Sequence, residues 1–95
     1  MTSAHLATAP MLAIILKCEA EGEKEIEKTA RSLIDKAKAL GDKEYELYFE
    51  QLIVVFEDRV AIWNKYDVPE LAELYTKLLE DTRKELFKRR TDSRL

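Results

Sequence analysis

From Ile26 the apolar residues fall at Ile26, Ala30, Leu33, Ala37 and Leu40. Steps of four and three keep all five on one side of a helix, whereas a strand alternates sides every second residue and cannot match them. Gly41 follows at once, a residue type that closes helices in the left-handed conformation, and Asp42 can cap a new helix with its carboxylate. A connection this tight makes the flanking helices antiparallel neighbours, as in an αα-hairpin. With only two Gly and two Pro in 95 residues, the chain has little else to turn on.

The rest of the chain reads as helix too. The second helix, about residues 43–65, carries Tyr45, Phe49, Leu52, Phe56, Val60 and Trp63 along one side and Leu47, Val54 and Ala61 along another, which predicts the most buried helix. Asp67 and Glu70 then have capping-box spacing, and Pro69 sits in a first turn where its missing amide costs nothing. The third helix, about residues 68–90, turns Leu71, Tyr75, Leu78, Leu79, Thr82 and Leu86 inward. Glu73–Lys77, Glu80–Lys84 and Glu85–Arg89 are i,i+4 pairs for its outer side. The expectation is one all-α domain over residues 1–95, with residues 1–8 a disordered tail and 91–95 a fraying end.

The first helix raises a question of length. Capped by Thr8, begun at Pro10 and unbroken to Leu40, it would be about 48 Å long against about 35 Å for the other two, at 1.5 Å per residue. The antiparallel pairing puts Tyr66 beside Lys17 and leaves an overhang with Met11, Leu12, Ile14, Ile15 and Leu16. Each such side chain left in water forgoes roughly 1.5–3 kcal/mol, so something should cover them. A second copy could, giving an antiparallel three-helix bundle that is a homodimer through those five residues. The alternative is a four-helix bundle, in which the first helix breaks near Gly22 and folds back. A mid-helix Gly costs only about 1 kcal/mol, so the dimer is the leading expectation.

Carboxylates interrupt the apolar stripe of this helix at Glu19 and Glu23, and the pairing sets Glu23 next to Arg59 and Glu19 near Trp63. A structural ion pair of Glu19 or Glu23 with Arg59 is the expected arrangement, because a half-buried charge needs a partner. A carboxylate metal centre in a bundle calls for Glu-x-x-His motifs, and the single histidine, His5, lies in the tail. The acidic run Glu19, Glu21, Glu23, Glu25 and Glu27 projects to several sides of a helix and reads as solvated. Tyr45, Tyr48, Trp63, Tyr66 and Tyr75 recur at helix spacing, as core or interface aromatics do.

Charge divides the chain unequally. The net charge is −3, yet residues 82–95 hold Arg83, Lys84, Lys88, Arg89, Arg90 and Arg94 against Glu85 and Asp92. Cations in a last turn complement the helix dipole; the functional reading is contact with an anionic partner, either an acidic protein or a nucleic-acid backbone. No phosphate loop, Cys/His metal spacing or Ser–His or Cys–His pair occurs, so no catalytic residue, metal or cofactor is assigned and enzyme activity stays open. Cys18 is the only cysteine and fits a reducing compartment. The apolar N-terminal stretch is too short to span a bilayer and no basic residue precedes it, so a cytoplasmic protein without membrane contact is expected. Asn64 and Gln51 stand alone against 23 Glu and Lys residues, the bias of a thermophilic source. The function these features favour is a homodimeric helical interaction or adaptor protein. Alternatives are a nucleic-acid-associated accessory protein using the basic end, and a bundle enzyme or carboxylate metal protein.

Overall fold

A computed structural model describes residues 3–41 and 43–93, with side chains described from Ala9 to Asp92 apart from Asp42. The helices are α1 (Ser3–Glu21), α2 (Glu23–Ala39), α3 (Tyr45–Lys65) and α4 (Pro69–Ser93), and no strand occurs among the described residues. The three-helix expectation is therefore corrected to four. The long first helix is two helices, broken at Gly22, which has φ +123° and ψ 170°. Only glycine enters that region readily, because any Cβ there crowds the backbone. Charge favours the same break. A helix running through residue 22 would stack Glu19 on Glu23 and Glu21 on Glu25 at i,i+4, each pair repelling by roughly 0.2–0.5 kcal/mol. Broken, α2 instead starts with Glu23 and Glu25 at the positive end of its dipole.

Three further local expectations are corrected. Pro10 lies inside α1 rather than starting it, and Thr8 is likewise within the helix. Gly41 is not left-handed: α2 ends with Leu40 extended at φ −72° and ψ 155°. The Asp42 cap falls outside the described residues. What serves the end of α2 instead is Arg89, whose Nη1 and Nη2 donate to the Lys38 and Leu40 carbonyls at 2.7 and 2.8 Å. Asp67 belongs to the end of α3, with φ +58°. The Val68 amide donates to the Trp63 carbonyl at 2.9 Å and the Asp67 amide to that of Asn64 at 3.2 Å. This 6→1 and 5→2 pair is a Schellman closure with Asp67 in the place usually given to glycine.

Ion pairs fix the topology. Arg31–Asp81 at 2.7 Å and Lys38–Glu85 at 3.6 Å run in the same order along α2 and α4, which are parallel. Arg83–Glu57 at 3.3 Å and Arg90–Glu46 at 2.6 Å run in opposite order along α4 and α3, which are antiparallel. The core fills from the predicted faces: Ile26, Ala30 and Ala37 of α2, Tyr45, Phe49, Leu52 and Phe56 of α3, and Tyr75, Leu78, Leu79, Thr82 and Leu86 of α4. On α3 the second side differs from the expected one. Leu47 and Ala61 are exposed, while Val55 and Arg59 are buried. Helix α1 packs on α2 and α3 and adds Met11, Ile15 and Cys18 to the same core.

Candidate functional site

The densest polar cluster gathers where the end of α1 meets α3 and α4. Glu19 lies one turn before the break; its neighbours at the i−4 and i−1 positions, Ile15 and Cys18, are buried, so its carboxylate is carried inward at the edge of the core. Arg59 approaches from α3 as a fork, Nε to Oε2 at 2.9 Å and Nη2 to Oε1 at 2.7 Å. Trp63, one turn further along α3, donates its indole N–H to Oε2 at 3.0 Å. From α4 the fully buried Tyr75 donates its hydroxyl to the same oxygen at 2.6 Å. The side chains of Glu19 and Arg59 are only 10% and 8% exposed. The guanidinium also lies 5.6 Å from the centre of the Trp63 ring, within cation–π range.

Electrostatics follow from this geometry. Burial alone would raise the Glu19 carboxyl, but hydrogen bonds from Arg59, Tyr75 and Trp63, together with the Arg59 charge, outweigh it and hold the group below its ordinary value of 4.5. Burial would lower Arg59, but the hydrogen bond and charge of Glu19 raise it. Burial pushes the Tyr75 hydroxyl well up, and donation to Glu19 adds to that. So the cluster is an ionised pair with a neutral phenol across the pH range of a cell. Four donors occupy the carboxylate, which leaves it poorly placed to take a proton from a substrate. Chemically it is a clamp that fastens α1 to α3 and α4.

The expected site residues divide accordingly. Glu19 takes the Arg59 partner, whereas Glu23 stands exposed beyond the break. Of the apolar overhang, Met11 and Ile15 are buried within the chain, Leu12 is half-buried, and Ile14 and Leu16 are 43% and 44% exposed. The basic end does not act as one patch. Arg83 and Arg90 pair with Glu57 and Glu46, and Arg89 closes α2 while lying 4.3 Å over the Tyr45 ring. Lys84 and Lys88 are exposed, and Arg94 and the His5 side chain lie outside the described residues. Among the described residues no group of three or more His, Cys, Asp or Glu side chains converges as metal ligands. No helix among them is long and apolar enough to cross a membrane. A groove of about 230 Å³ between α2 and α4 is lined by Arg31, Asp35, Lys38, Asp81, Lys84 and Glu85, charges of both signs that largely satisfy each other.

Tyr75 reads from the sequence as a core aromatic and not as a partner of Glu19. Its signal was there, because an inward tyrosine on α4 must carry its hydroxyl to an acceptor and α4 offers none at that level. No protein-family model matches this chain, and none of the curated proteins or solved structures compared with it does.

Proposed function

We propose that this chain is a small helical interaction or adaptor protein that acts as a homodimer, with α1 as its contact element. The observation that carries this reading is that α1 is apolar on all sides from Ala9 to Leu16. Its outward residues from Ala9 to Ala20 include Ala9, Pro10, Ala13, Ile14, Leu16 and Ala20, with Lys17 their only charge. Ala9, Ala13, Leu16 and Ala20 repeat the four-three-four spacing of a helix-pairing seam. A helix apolar all round is normally covered all round, and here one side faces water in a chain that is 37% charged.

The basic end gives weaker support to the nucleic-acid alternative, since Arg83, Arg89 and Arg90 are engaged within the chain. Nothing in the cluster around Glu19 favours an enzyme. The buried thiol of Cys18 suits a reducing compartment, in keeping with a cytoplasmic protein. Ion pairs linking different helices, such as Arg31–Asp81 and Arg90–Glu46, suit a thermophilic source. Size-exclusion chromatography with light scattering tests the reading through Ile14→Glu and Leu16→Glu. A dimer by mass for the unaltered chain supports it, and loss of that mass in these variants puts the outward side of α1 in the contact; an unaltered chain that is monomeric overturns it.

A further inference from the structure

The outward strip of α1 is too small to hold a dimer alone. Twelve helical residues give a strip about 18 Å long and about 10 Å wide, at most a few hundred Å². A stable dimer buries roughly 800 Å² per partner. A homodimer held through α1 needs area beyond this strip, and the inner side of α1, with Met11, Ile15 and Cys18, is the apolar surface on the same helix.

That inner side is already built as a detachable part. One residue, Gly22, joins α1 to the rest of the chain. Space around it is open, with nothing within 4 Å of where a Cβ would stand, so only the backbone angle calls for glycine. On both sides of it the sequence Glu-Ala-Glu and Glu-Lys-Glu is made of good helix formers. Every polar contact of Glu19 is made to α3 or α4 and none to α2, so an α1 from another molecule can make the same contacts. With residue 22 helical, residues 3–39 would form one rod of about 55 Å, longer than the 42 Å greatest extent of the chain. Such a rod carries Met11, Ile15 and Cys18 off their own core and uncovers Arg59, Trp63 and Tyr75. Only a second copy with the same uncovered cleft matches the exposed arm residue for residue.

We infer that the dimer forms by exchange of α1: Gly22 straightens, and Glu19 of each copy enters the Arg59–Trp63–Tyr75 cleft of the other. This rests on the homodimer reading above and adds what the second copy contributes. The acidic run supplies the bias between the forms, since like-charged pairs across residue 22 favour the closed chain, while the backbone hydrogen bonds of a continuous helix and release from the special φ of Gly22 favour the exchanged one.

Complementation of two defective chains separates exchange from other dimers. Glu19→Met has a faulty arm and an intact cleft; Arg59→Met has an intact arm and a faulty cleft. In an exchanged heterodimer one junction is fully native and the other is Met against Met, with no charge left unpaired. Co-refolding the two at 1:1 should therefore give a species melting above either chain alone. If the mixture melts as the two separate chains do while the wild type is a dimer by mass, exchange is wrong and the homodimer reading survives. A wild type that is monomeric overturns both. Should either methionine chain not fold alone, recovery of folded protein only in the mixture gives the same answer. Independently, Gly22→Ala should tighten dimerisation about ten- to a hundredfold by penalising the bent form. D-alanine at 22, placed by chemical synthesis, accepts a positive φ and should drive the chain to monomer. Equal masses for the two would overturn the hinge.

Discussion

Replacing Glu19 by Met strikes the centre of the structure. The change leaves the Arg59 guanidinium, 8% exposed, with Asp58 at 3.7 Å as the carboxylate beside it, and removes the acceptor of the fully buried Tyr75 hydroxyl. Removing one partner of a buried pair typically costs about 3–5 kcal/mol, a large part of the roughly 5–14 kcal/mol total expected for a domain of this size. Arg59→Met should cost a similar amount by stranding the carboxylate. The double replacement removes both charges. Its remaining penalty is the unsatisfied donor of the fully buried Tyr75, about 1–3 kcal/mol, Trp63 being only half-buried. The two changes should thus be strongly non-additive, with a coupling of about 3 kcal/mol or more. Urea unfolding followed by far-ultraviolet circular dichroism, at one fixed protein concentration, measures all four chains. Single losses below about 1 kcal/mol, or a double loss equal to the sum of the two, would refute the clamp.

Acid should loosen the same contact. Because the Glu19 carboxyl is held below 4.5, its contribution is complete above that pH and declines as the pH falls through the lowered value. Stability of the wild type should therefore fall more steeply between about pH 5 and 3 than that of Glu19→Met, and parallel curves would contradict the assignment. Asp67→Gly should stabilise by up to about 1 kcal/mol, since φ +58° suits glycine; a loss in thermal unfolding would point to an unseen role for the carboxylate. Arg89→Met should destabilise by about 1–2 kcal/mol by freeing the last carbonyls of α2, and Arg89→Lys should recover under half of it because a lysine cannot reproduce the two-pronged contact. Full recovery with lysine, measured by urea unfolding, would show that charge alone suffices.

The periodic parts of the fold were legible in the sequence because burial imposes a helical period: the inner sides of α2 and α4 come out as the residue spacing says. The hairpin register was legible to within about a turn: it set Glu19 near Trp63 but gave Arg59 to Glu23, which the break at Gly22 leaves exposed. What the sequence left open was settled by small opposing terms. At Gly22 a modest helix penalty, repulsion within the acidic run and burial of Met11 and Ile15 all favour a break, and no one of them announces it. Asp67 has the spacing of an N-terminal cap but closes the helix before it, a distinction that lies in a backbone angle. The basic end read as a patch because sequence counts charges and does not show their partners on α2 and α3.

Sedimentation equilibrium of the unaltered chain, from about 1 to 100 µM and at low and high salt, addresses most directly whether α1 joins two copies. An apolar contact element predicts a species of twice the 11.1 kDa chain mass whose stability does not fall as salt rises. A chain of 11.1 kDa throughout that range would contradict the account.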